Sequence, residues 1–219
     1  SIEMENILFT PINIGAVQLP NRLVMSPMAT QYGDKSGYVT QRQIDYYVER
    51  AKNNLGLIIV EIVCVAPGGK GLGKQLCIYD DSYIAGLRRL AEAVKKTDTC
   101  CFLQLHHAGR RAYSESNNGI QPVAPSAIPQ RNGEMPRELT TEEIDGIIEA
   151  FAQGAGRAQE AGFDGIEVQL GHGYLVSQFL SPLTNKRRDK YGGDLVSRAR
   201  LGVEIVQRIR QQVGESYPV

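Results

Sequence analysis

The feature that most constrains this chain is an alternation between short apolar runs and longer stretches with helical periodicity. The run Gly56-Leu57-Ile58-Ile59-Val60-Glu61-Ile62 is apolar at nearly every position. A strand with one wet face alternates polar and apolar residues, whereas this one reads as buried on both faces, beneath helices in a parallel sheet. Similar runs occupy residues 23–26, 101–106 and 163–170.

Helical stripes fill the gaps. Thr40 opens one helix, with Gln43 completing a capping box and Ile44, Tyr47, Val48 and Ala51 along one face. A second spans residues 82–96 with Ile84, Leu87, Ala91 and Val94 inward. Thr140 caps a third, with Glu143 at the reciprocal position and an apolar face from Ile144 to Ala158. A short helical turn at 175–180 and a helix at 194–213 follow, and residues 217–219 read as the opening of a fifth strand. Ahead of the first strand, residues 9–12 and 15–19 form a small hairpin outside the main sheet, covering one end of it. Residues 108–138, with Pro122, Pro125, Pro129 and Pro136, make a connection long enough to be a functional loop.

Strands alternating with helices fit two α/β architectures. A doubly wound sheet would bring its own phosphate loop, and no Gly-x-Gly-x-x-Gly follows the first strand. The segment Gly68-Gly69-Lys70-Gly71-Leu72-Gly73 lacks phosphate-loop spacing and reads as a flexible loop over the sheet. The expectation is a TIM (β/α)8 barrel, present as roughly its first half, from the first strand to the fourth helix, with residues 1–219 forming part of one domain. Such barrels carry their active sites at the C-terminal ends of the strands.

Composition narrows the partners. Lys plus Arg equals Asp plus Glu at 24 each, so no net field draws in nucleic acid or anionic lipid. No apolar run reaches the ~20 residues of a membrane span, and residues 1–5 lack the basic-then-apolar layout of a secretion signal. A cytoplasmic protein without nucleic-acid or membrane partners is expected. Cys64, Cys77, Cys100 and Cys101 include no Cys-x-x-Cys pair; all but Cys77 lie in strand-like runs as buried thiols, and no metal is assigned.

Polar residues gather at the strand ends: Ser26-Pro27-Met28, then Glu61-Ile62, then Gln104 with His106 and His107, then Gln169 with His172 and Tyr174. In the last group an imidazole and a phenol sit two residues apart, a set able to hold an oxygen atom and supply a proton. Each residue also has a structural reading. Tyr174 could pack into the core, Gln104 could bond a neighbouring strand, and Glu61 could pair with an arginine under the rim. One site explains all four groups together.

Several stretches resemble the old yellow enzyme family of flavin-dependent ene-reductases and their dienoyl-CoA reductase-like relatives. They are Val24-Met25-Ser26-Pro27-Met28, the run from Gln104 to Arg110, the run from Gly162 to Val168, and the segment from His172-Gly173-Tyr174-Leu175 through Leu180-Ser181-Pro182, Asn185, Arg188, Asp189 and Tyr191-Gly192-Gly193. The resemblance covers essentially the whole chain. It implies FMN at the barrel mouth, with NADH or NADPH as electron donor. Ser26, Pro27, Met28 and Ala29 would lie along the isoalloxazine, Ile62 would touch its edge, and Gln104 would bond its pyrimidine part. Tyr174 matches the family's proton donor, and Gln169 with His172 the pair that grips a substrate carbonyl. The implied reaction is reduction of an activated C=C bond in an unsaturated carbonyl or thioester.

The family usually carries His where this chain has Gln169, Cys or Thr in some members where it has Ala29, and a small residue where it has Ile62. An arginine near the flavin and the phosphate-binding loops belong to later strands. The chain is therefore expected to be a piece of a longer protein that binds FMN weakly or not at all alone. An iron–sulfur cluster, as in larger relatives, would lie in a further C-terminal part. The competing expectations are a noncatalytic half-barrel module without flavin, suited to homo-oligomer assembly, and a flavin-free lyase or aldolase. The latter lacks a lysine at any of these strand ends.

Overall fold

A computed structural model describes residues 6–219; residues 1–5, read above for a secretion signal, lie outside the described residues. In chain order, the hairpin β1 (Ile12–Ile14) and β2 (Val17–Leu19) precedes β3 (Val24–Met25), α1 (Gln41–Ala51), β4 (Leu57–Cys64) and the short β5 (Leu76–Cys77). Then come α2 (Ile84–Lys95), β6 (Cys100–His106), β7 (Val123–Ala124), β8 (Arg137–Glu138), α3 (Thr141–Ala161), β9 (Gly165–Val168), α4 (Leu175–Leu180) and α5 (Leu195–Val213). Strands β3, β4, β6 and β9 lie side by side in that order, all parallel. Each is separated from the next by a helix, the repeating unit of an α/β barrel wall.

The pleat sorts side chains into two layers. Ile58, Val60, Leu103, Leu105 and Ile166 turn outward and are buried with Tyr47, Leu87, Leu90, Val94, Phe151 and Ile205 from the helices. Leu57, Ile59 and Phe102 turn to the other face, where Leu19, Ile14 and Val17 of the hairpin meet them. The hairpin thus covers the end where the strands begin, as expected from its sequence. A Cβ on Gly165 would come within 2.8 Å of the Phe102 ring, so only glycine lets that ring fill the inner layer.

A register shift between Val60 and Val63 interrupts the β4–β6 ladder. Strict alternation would put Glu61 on the inner face with Ile59 and turn Ile62 out. With the extra residue, Ile62 lines the inner cavity beside Ile59. The Glu61 carboxylate accepts from the Thr30 N–H (3.0 Å), the Thr30 hydroxyl (2.7 Å) and the Tyr47 hydroxyl (2.9 Å). A bulge of this kind re-aims one side chain without ending the strand.

Some local expectations are corrected. Thr40 accepts the Gln43 N–H at 3.3 Å, but the return half of that capping box is missing. Gln43 shares the buried face of α1 with Ile44 and Tyr47, which carries its amide inward, away from the helix end. The glycine-rich loop is pinned rather than loose: Lys70 is buried with its ammonium on the Lys35 and Gly73 carbonyls, and Asn117 bonds both the N–H and the carbonyl of Lys70. Cys77 lies in strand β5, buried against Cys64. Residues 217–219 form no strand, although the Ile166 N–H reaches the Pro218 carbonyl at 3.1 Å. Pro218 has no N–H with which to extend a ladder.

The box at Thr140 is complete, with Glu143 accepting from the Thr140 N–H at 3.0 Å and Thr140 accepting from Glu143 at 3.1 Å. Replacing Thr140 with Ala is expected to cost about 1 kcal/mol of stability, read as a lower denaturant midpoint at unchanged slope; an unchanged midpoint would show that the cap contributes nothing.

Candidate active site

At the C-terminal ends of the strands lies an open cavity of about 630 Å³. Its lining includes Ser26, Pro27, Met28 and Ala29 after β3, Ile62 on β4, Gln104 on β6, and Gln169, His172 and Tyr174 after β9. The nine residues that the family resemblance placed around a flavin and substrate all line this one cavity. Val24, Ile59 and Glu167, which the sequence reading did not single out as site residues, complete it. Glu167 could have been found by the period of two: it lies between Gly165 and Gln169 on the same face of its strand.

Register explains the polar floor. Gln104 and Glu167 are Cα partners on adjacent strands, and the Gln104 amide donates to the Glu167 carboxylate at 2.6 Å. Pro27 is partly buried and Met28 is 65% exposed, giving an apolar side wall open to the mouth. An apolar wall beside a buried amide suits a flat, fused heteroaromatic ring with a hydrogen-bonding edge. Among the described residues no lysine or arginine lines the cavity, so these residues fit the ring of FMN and not its phosphate.

The far rim is the turn after β9. Gln169 accepts from the Gly171 N–H at 2.6 Å, which orients its amide. Its nitrogen then faces Nδ1 of His172 at 3.0 Å. Nδ1 becomes the acceptor, leaving Nε2–H of His172 and the second Gln169 amide hydrogen as donors. His172 has φ 57°, a region that residues other than glycine seldom occupy. The turn is held by Arg111, which donates to the His172 carbonyl at 2.6 Å, and by Gln178, which donates to the Gly173 and Ala108 carbonyls at 2.8 and 3.0 Å. A Cβ on Gly109 would overlap the Gln178 amide, and Gly109 also has a positive φ, so the stitch requires glycine there.

Other expected strand-end residues do not face the cavity. Glu61 is clamped by Thr30 and Tyr47, with no arginine partner among the described residues, and burial followed by the Glu61 charge pushes the Tyr47 hydroxyl well above its ordinary range. His107 accepts from the Gly109 N–H, and burial pulls its pKa down to about 4, so it is a neutral structural residue. His106 is buried behind Tyr174. The segment from Asn185 to Tyr191 is also a lock. Asn185 ties the Phe179 and Tyr191 carbonyls, and the buried Arg187, not Arg188, joins Asp189 to the Pro125 and Leu139 carbonyls of the long connection.

Residues 7–219 match the sequence model of the NADH:flavin oxidoreductase / NADH oxidase family. The chain is 50% identical to an NADH oxidase of Thermoanaerobacter brockii, over 97% of this chain and 33% of that protein. It superimposes on 2-naphthoyl-CoA reductase in complex with 2-naphthoyl-CoA with a TM-score of 0.93 and 34% identity, covering 97% of this chain and 34% of that one. With the old yellow enzyme homologue from Zymomonas mobilis the TM-score is 0.90 at 31% identity, over 97% of this chain and 62% of the other. The architecture is thus the first part of a TIM barrel, and the chain spans about a third of the length of that NADH oxidase. Among the described residues no helix is long and apolar enough to cross a membrane.

Removing the Tyr47 hydroxyl leaves a buried carboxylate one donor short. Tyr47→Phe is expected to destabilise the fold by about 1–3 kcal/mol, measured by chemical denaturation; a neutral substitution would mean that Thr30 alone satisfies Glu61.

Proposed function

The chain belongs to the NADH:flavin oxidoreductase / NADH oxidase family, and from that premise we propose that the whole protein is an FMN-dependent reductase of activated C=C bonds. The electron source is NADH or NADPH, and the substrate is a small enone or enoyl thioester. The observation that carries the proposal is the convergence of Pro27, Ile62, Gln104, Gln169, His172 and Tyr174 on one cavity. The likeness to a reductase bound to a naphthoyl thioester favours conjugated carbonyl compounds as the substrate class.

When bound, FMN supplies the hydride, taken from the nicotinamide and passed to the β-carbon of the alkene. Ser26, Pro27, Met28 and Ala29 would form the wall for its ring, Ile62 would lie at one edge, and Gln104 would bond the polar edge. Glu167 fixes which way the Gln104 amide points, because a carboxylate accepts only from the amide nitrogen. That leaves the Gln104 oxygen free to accept an N–H. Gln169 and His172 donate to the substrate carbonyl, stabilising the negative charge that grows there. Tyr174 delivers its phenolic proton to the α-carbon and is reprotonated from solvent at the open mouth. Hydride and proton together account for the two hydrogens the alkene gains.

Tyr174→Phe in the flavin-loaded protein is expected to slow alkene reduction by ~10²-fold or more while leaving flavin reduction by nicotinamide nearly unchanged. Separate stopped-flow measurement of the two half-reactions tests this. Equal losses in both would mark Tyr174 as a structural residue.

A further inference from the structure

The glycine-rich loop after β4 has no role in the chemistry just described, yet it leads directly to Tyr174. The Gly71 N–H donates to the Gln75 side-chain oxygen at 2.8 Å, which fixes the orientation of that buried amide. The Gln75 nitrogen, 2.9 Å from Nδ1 of His106, must then be the donor. Nδ1 of His106 accepts, and its proton resides on Nε2. Nε2 is buried with no oxygen or nitrogen partner among the described residues. What adjoins the imidazole is the Tyr174 ring, edge to face, with centroids 4.2 Å apart.

A buried donor without a partner costs free energy unless a weaker acceptor takes its place, and an aromatic ring is such an acceptor. Arg111 approaches the same ring, its guanidinium carbon 4.5 Å from the centroid, while also holding the His172 carbonyl. Gly71 lies against both rings: a Cβ there would be in ordinary contact with each, 3.7 Å from His106 and 3.7 Å from Tyr174, and 3.3 Å from the Ala108 side chain. Burial, then the neighbouring His107 and Arg111, hold the His106 pKa down to about 3, so the imidazole stays neutral and keeps one tautomer across the working pH range.

We propose that Gln75 and His106 are positioning residues for the proton donor: the loop sets the Gln75 amide, the amide sets the His106 tautomer, and the His106 ring, with Arg111, seats Tyr174 so that its hydroxyl faces the cavity. The inference rests on the reading of Tyr174 as proton donor. It gives a role to the pinning of a loop that lacks phosphate-binding spacing.

Two measurements test it. The first needs no substrate or flavin. The chain has only 3 histidines, so each is resolvable in a long-range 1H–15N spectrum of the protein without cofactor. His106 should show the Nε2–H tautomer, slow solvent exchange and an upfield-shifted Nε2 proton, and that shift should vanish in Tyr174→Leu. An Nδ1–H tautomer, or a proton indifferent to Tyr174→Leu, overturns the proposal.

The second is a double-mutant cycle in the flavin-loaded protein. His106→Phe, or Gln75→Leu if the first fails to fold, should lower kcat for alkene reduction about tenfold with little change in KM for the alkene. The same substitution should add nothing in a Tyr174→Phe background. Losses that multiply in the double mutant overturn the seating role while leaving the proton-donor reading intact. A Tyr174→Phe protein that reduces alkenes at the normal rate overturns that reading itself, and the spectrum alone then decides whether the His106–Tyr174 contact exists.

Discussion

The site depends first on the hydrogen-bond register between β6 and β9. Pairing Phe102 with Gly165 and Gln104 with Glu167 puts an apolar layer beneath a polar one on the same inner face. A slip of β9 by one residue would turn Glu167 and Gln169 out among the helices, away from Gln104, and bring Ile166 inward. The register is enforced from both sides. Outside, Leu103, Leu105 and Ile166 are sealed against the helices. Inside, the Phe102 ring occupies space that only Gly165 leaves open. The Asp164 carboxylate adds a fixed point at the start of the strand, accepting from the Cys101 N–H at 2.9 Å.

Two further devices shape the barrel wall around the cavity. The bulge in β4 exchanges the faces of Glu61 and Ile62, so an apolar side chain lines the cavity and a carboxylate becomes a structural clamp. The stitch between residues 108–111 and the turn after β9 holds a left-handed His172 and aims Tyr174. Both devices place strained or buried polar groups near the mouth, where the bonds to Glu61, to the His172 carbonyl and from Gln178 offset their cost.

Much of this was legible in the sequence because the elements are locally consistent. The both-face apolar run at 56–62 became β4, and the Thr140–Glu143 pair became a complete capping box. Strand-end residues from four separate strands, Ser26, Ile62, Gln104 and Gln169 among them, line one cavity, since alternation and barrel topology together decide where such residues point. What escaped depended on interactions that spacing does not encode. Glu61 looked like a site residue until the bulge turned it away. His106 and Gln75 were invisible as a pair because β6 and the glycine-rich loop meet only in the fold. Gln43 followed the buried face of its helix rather than the cap. Arg187, which nothing in its spacing marks out, is 7% exposed and joins distant segments.

The central claim is that the cavity bounded by Pro27, Gln104 and Tyr174 is a flavin seat. A crystal structure of the protein with FMN bound tests it most directly. The account predicts the isoalloxazine ring flat against Pro27 and Met28, its polar edge toward Gln104, and the Tyr174 hydroxyl facing the space above it. A flavin found elsewhere on the barrel, or one whose ring leaves Gln104 and Tyr174 on opposite sides of the wall, would contradict it.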